Sequence, residues 1–221
     1  MFEDLDPFTA SPGELLACVV DVEPGLFVQS VLLMVDPSTL CVDDAITYLQ
    51  VHERVAAWWS SLQASALVAA ASPVRMVQEF TLLDPRPGHD EERMVRIEDA
   101  IREEVAAAVR WSPATAQHRI DAARLLAGPL AATREALSLG EISTGHVAVV
   151  VEAAGRVPQD RQDALQARVL PVARRGTLSM TRAAAKRAVL AIDATGSAAA
   201  GWRPGAPDRS TSWTERVTLS V

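Results

Sequence analysis

VAAAVRWSPATAQHRI, residues 105–120, decides how the chain is built. An Ala-rich apolar run ends at Arg110, Trp111 adds a large ring, and Ser112-Pro113 restart a helix. Serine is a good N-cap, and proline suits the first helical position, where its missing N–H costs nothing. The stretch predicts two helices joined by a short turn, either a helix-turn-helix that reads DNA or two core helices of the same outline. Ala106 and Ala107 are small enough for a close helix crossing, and Trp111 supplies the apolar residue of the turn. In the second helix Ala116, Ile120 and Ala123 form an inward stripe, with Ala114, Gln117, His118 and Asp121 outward. Under the DNA reading Gln117 and His118 face bases, Arg119 and Arg124 hold phosphates from the flanks, and Ser112 and Thr115 sit at the helix start.

Outward from this pair the chain reads as all-α. Residues 1–40 form an acidic arm with short helices, punctuated by Ser11-Pro12 and Glu23-Pro24-Gly25. Within it LFVQSVLLMV, 26–35, is about half a membrane span and reads as a buried helix. From Asp43 to Ala71 no Gly or Pro occurs, and Ile46, Leu49, Val55, Trp58, Leu62 and Val68 recur at helical spacing, so 41–80 is assigned to one long helix. Trp58 and Trp59 point about 100° apart, which buries only one of them fully. Residues 81–96, opening TLLDPRPGHDEE, read as loop or linker. Residues 97–195 follow as a helical bundle, with helices near 97–109, 113–127, 129–139, 143–155, 159–174 and 179–193 and the helix-turn-helix-like pair at 103–124. Residues 196–221 read as a loop and a truncated strand-like tail, WTERVTLSV.

The net charge of −7 is unevenly spread: residues 1–99 hold 5 Arg against 17 Asp/Glu, whereas 100–195 hold 13 Lys/Arg against 9. Such a change of sign predicts either a polyanion partner for the basic half or an acidic arm packed on it. Arg182 and Lys186, four apart on one helix, form a strip suited to a phosphate backbone, to the acidic residues of 1–99, or simply to solvent. Two cysteines and four scattered histidines make neither a disulfide framework nor a metal spacing, so no metal and no cofactor is expected. His146, near the Ser143 cap, reads as a packing or hydrogen-bonding residue. No signal peptide or membrane span is recognised, which predicts a cytoplasmic protein without membrane or small-molecule partners.

EEVAAAVRWSPATAQHRIDAARLL also resembles the helix-turn-helix of the sigma-factor C-terminal region and of response regulators, with Thr115 and Arg119 matching and Arg110 departing where glycine usually permits positive φ. A bulky residue there costs on the order of 1 kcal/mol. A wider resemblance spans roughly 40–221. WSPATAQHRIDAARLL, SLGEISTGHV (138–147), ARVLPVARRGTLS (167–179), RAVLAID (187–193) and ERVTLSV are similar to the actinobacterial domain of unknown function found upstream of HNH endonuclease modules in the thirteen-E-twelve repeat family. That resemblance implies an α-helical module on proteins spread as repeats or mobile elements. The chain contains no asparagine, which an HNH site requires, so the resemblance implies a partial copy without the nuclease. The expected function is a non-catalytic helical module that binds double-stranded DNA through 103–124. The alternative is a protein-interaction module self-associating through 43–71, or a remnant of a truncated gene copy.

Overall fold

A computed structural model describes residues 10–72 and 90–200, with side chains described for 10–72 and 97–193. Among these residues every regular element is helical, in the order α1 (Pro12–Val19), α2 (Leu26–Met34), α3 (Val42–Ala70), α4 (Asp90–Val109), α5 (Pro113–Ala127), α6 (Ala131–Ser138), α7 (Thr144–Ala154), α8 (Gln162–Ala173) and α9 (Leu178–Ala200). Short 3-10 turns at Pro37–Thr39 and Gln159–Arg161 lead into α3 and α8. α4 begins at Asp90, inside the stretch assigned to a linker. α9 runs to Ala200, through Gly196 and into the assigned loop. The strand-like tail lies outside the described residues.

α3 is 29 residues long and connects three apolar clusters. Its first half gives Val51 and Val55 to a cluster with Leu16, Val19, Val28 and Leu32 of α1 and α2. Its second half gives Ala57 to the main core, built on Leu130, Leu137, Val150, Leu165 and Val169. Its end gives Ala71 to a third cluster with Ile97, Ile101 and Ile120. Burial therefore changes face along the helix, and the apolar residues picked out by spacing divide accordingly. Val55 is buried and Trp58 half-buried, but Ile46, Leu49 and Leu62 are exposed. Neither tryptophan of the pair is fully buried, and the Trp59 indole donates to Gln29 Oε1 at 2.9 Å. α2 is amphipathic and not buried all round: Val28, Val31 and Leu32 face α1 and α3, while Leu26, Leu33 and Met34 face outward.

Polar anchors fix the connections. Ser11 and Glu14 form a capping box on α1 in which the Ser11 N–H donates to Glu14 Oε2 at 2.8 Å, holding that carboxyl below its ordinary range. Arg54 of α3 donates to the carbonyls of Val20 and Val22, closing the end of α1. The start of α6 is capped from a distance: the Thr133 N–H and hydroxyl donate to Gln166 Oε1 at 3.0 and 2.9 Å, and Gln166 Nε2 donates to Pro129 O at 2.9 Å. Both Thr133 and Gln166 are buried, so this amide satisfies the Thr133 N–H and hydroxyl where water does not reach them.

Two helix ends share one turn. After α6, Gly140 has φ +69°, the Glu141 N–H returns to Ala136 O at 2.9 Å, and a Cβ on Gly140 would lie 2.8 Å from Arg54 Cβ. After α4, Arg110 has φ +57° and the Trp111 N–H returns to Ala106 O at 2.9 Å. The expected strain at Arg110 is thus present, and its side chain is exposed. Arg110→Gly should raise stability by about 1 kcal/mol, moving the thermal midpoint up by about 2–4 °C. Gln166→Ala should cost about 1–3 kcal/mol by leaving the α6 start unsatisfied. Denaturant unfolding of each variant checks both signs.

Candidate nucleic-acid interface

The helix-turn-helix-like pair exists as α4 and α5. Ala116, Ile120 and Ala123 are buried, as is Ala106 on the facing helix, whereas Ala107 is exposed. Trp111 is half-buried in the turn. α5 packs against α3 on one side and α4 on the other, and that placement decides what its polar residues do.

Ser112 Oγ accepts from the Thr115 N–H at 3.1 Å and lies 2.8 Å from Thr115 Oγ1, so both residues serve the N-cap of α5. Gln117 Nε2 donates to Asp121 Oδ1 at 2.9 Å. Arg119 stacks on the Trp111 ring with its guanidinium carbon 4.3 Å from the centroid, and Nη1 donates to Gln63 Oε1 of α3 at 3.1 Å. Arg124 donates to Glu98 Oε1 of α4 at 3.3 Å and to the Ala71 carbonyl at 3.4 Å, helping to satisfy the end of α3. His118 is exposed, with no hydrogen bond or ion pair among the described residues. The structure thus gathers Ser112, Thr115, Gln117, His118, Arg119 and Arg124 on one helix, and both of its arginines join α5 to neighbouring helices. Residues 97–127 carry four arginines against five carboxylates, so the pair has no basic surplus.

Arg182 and Lys186 stand elsewhere, on α9, which packs against α7 and α8. Both are exposed and form no ion pair among the described residues. No carboxylate occurs between Arg174 and Ile192, and among the described residues Arg174 alone of the cations there is paired, donating to Glu141 Oε2 at 2.7 Å. The described part of the acidic arm packs on α3, leaving this strip open. Arg182 and Lys186 border a groove of about 310 Å³ between α7 and α9, floored by Val149, Ala153, Ala185 and Val189, with the Glu152–Arg156 ion pair (2.7 Å) also on its lining. The groove is not visible in the sequence, although Val149 and Ala153 keep helical spacing on α7 and Arg182, Ala185 and Val189 keep it on α9.

His146 Nδ1 accepts from the Ser143 N–H at 3.2 Å, a local role at the start of α7. Cys18 and Cys41 are free thiols. Among the described residues no group of His, Cys, Asp and Glu could hold a metal ion, and no helix is long and apolar enough to cross a membrane.

These features define an all-helical module with an integral helix-turn-helix-like pair. The chain belongs to the family described as Domain of unknown function (DUF222), which matches residues 59–217, from the middle of α3 onward. No curated protein and no solved structure matches the chain.

Because Arg119 joins Trp111 to α3, its loss should register in folding itself. Arg119→Ala should lower stability by about 0.5–1 kcal/mol, the value of a partly exposed cation–π contact. Exposed His118→Ala should leave stability within about 0.5 kcal/mol. Urea midpoints of the two variants make the comparison.

Proposed function

We propose that the chain is a non-catalytic protein-interaction module, associated with HNH endonuclease proteins as its resemblance implies, and that it assembles copies of itself through the exposed apolar side of α3. The observation that carries this reading is the distribution of uncovered apolar surface. Nine of the twelve large hydrophobic side chains exposed among the described residues lie on α2 and α3, including Leu33 at 79%, Val42 at 77% and Leu49 at 60%. Apolar surface concentrated in this way is a mark of contact surfaces, because each uncovered side chain forgoes transfer free energy that a partner would supply.

Direct reading of DNA by α5 is less well supported. Its arginines are engaged within the fold, its outward row includes Asp121, and the whole chain carries −7. Phosphate binding draws on free cations and a basic field, and this helix offers neither.

Sedimentation velocity tests the reading. Wild-type protein should show concentration-dependent association, and Leu49→Glu should shift it toward monomer at an unchanged thermal midpoint. In parallel, fluorescence anisotropy with a labelled random duplex at about 50 mM salt should show no saturable binding. A wild-type chain that stays monomeric, or duplex binding abolished by Gln117→Ala/His118→Ala, would overturn it.

A further inference from the structure

The exposed row on the first half of α3 has a definite chemistry. Val42, Ile46 and Leu49 recur at helical spacing, and Asp43 and Glu53 lie on the same side of the helix, all exposed. This is an apolar ridge flanked by negative charge. It continues the face that α3 presents to the bundle further along, where Ala57, Ser61 and Ala64 pack inward. The bundle stops at the α6–α7 turn, where Gly140 abuts Arg54, and beyond that point the same face has no cover among the described residues.

The groove between α7 and α9 has the complementary chemistry. Its floor is aliphatic, Leu190 stands 60% exposed on its border, and of its three cations Arg156 pairs with Glu152 while Arg182 and Lys186 form no ion pair among the described residues. The two surfaces lie at different places on one chain, the ridge among residues with seven carboxylates and one arginine (10–72), the groove lined by Arg156, Arg182 and Lys186 against the single carboxylate of Glu152, which Arg156 pairs.

We propose that the ridge of one copy, Val42–Ile46–Leu49 with Asp43 and Glu53, seats in the α7–α9 groove of a second copy, with Arg182 and Lys186 facing its carboxylates. The contact is helix in groove and joins two different surfaces, so the association is head to tail. This rests on the self-association proposed above and adds its receiving surface. An apolar seat supplies affinity, and the charges fix orientation and make the contact salt-sensitive.

A charge-swap pair tests it, each variant first checked for an unchanged circular dichroism spectrum and thermal midpoint. Arg182→Glu/Lys186→Glu alters only the groove, and Asp43→Lys/Glu53→Lys alters only the ridge. By sedimentation velocity each variant alone should associate at least about tenfold more weakly than wild type, and an equimolar mixture should associate again, since each still carries the surface the other lacks. Association of the wild type should also weaken between about 50 and about 500 mM salt. If the ridge variant is monomeric while the groove variant associates normally, copies meet ridge to ridge. Head-to-tail seating is then overturned while the self-association reading stands. A wild type that is monomeric throughout overturns both. Binding of a random DNA duplex that only the groove variant loses would make the groove a phosphate site and overturn the seating.

Discussion

A helix that must serve three apolar clusters cannot bury one stripe along its whole length, and α3 is such a helix. At 1.5 Å per residue its 29 residues span roughly 43 Å, far longer than any one cluster needs. Near its start Val51 and Val55 face α1 and α2; from Ala57 onward the opposite side faces the bundle. The switch falls near Arg54, whose guanidinium holds the end of α1 and whose backbone receives the tight turn at Gly140. Each half consequently leaves exposed the face that the other half buries. Ile46 and Leu49 are uncovered on one side, Trp59 and Leu62 on the other, and the concentration of exposed apolar surface on α3 follows from this geometry.

The same constraint ties the helix-turn-helix-like pair into the bundle. A recognition helix must project free of its own domain so that its polar face enters a groove. α5 instead lies between α3 and α4, and the residues at its flanks join those helices: Arg119 to Gln63, Arg124 to Glu98 and the Ala71 carbonyl. Trp111, which a helix-turn-helix would bury in its turn, is half-exposed and becomes the platform on which Arg119 rests. Arg110 carries the positive φ that this turn needs, without the glycine that would adopt it freely.

Helix identity was legible in the residues because its signals are local. Ser11, Ser112 and Ser143 mark helix starts, Pro12 and Pro113 occupy first positions, and the inward stripe Ala116–Ile120–Ala123 is buried as its spacing predicts. What spacing could not convey is which of two faces is covered at each point. Ile46 and Leu49 share one face, Val55, Trp58 and Leu62 the other, and a single periodic list merges them. Long-range polar partners were equally out of reach. Gln63 lies 56 residues from Arg119, and Gln166 lies 33 from the Thr133 amide it completes. The groove went unseen for a related reason, since each wall looks like an ordinary amphipathic helix until α7 and α9 are set side by side.

Charge is separated between two regions of the same chain, and that separation bears on what copies of it do to one another. At net −7 two molecules repel at long range, which keeps an apolar face from aggregating indiscriminately. At short range the balance reverses wherever the carboxylate-free stretch of α9 meets the acidic ridge of α3, because local fields outweigh net charge within a Debye length of about 8 Å at physiological salt. The association proposed above would be selective in orientation: acidic ridges repel each other, and the cations bordering one groove repel those of another. A contact between unlike surfaces leaves a free ridge at one end and a free groove at the other, so a two-fold axis does not close it. The length of such an assembly is then set by the rotation between neighbouring copies and by the net charge that accumulates as each is added. Both are properties of where α3 and α9 sit in the fold, and neither requires the helix-turn-helix-like pair to touch a ligand.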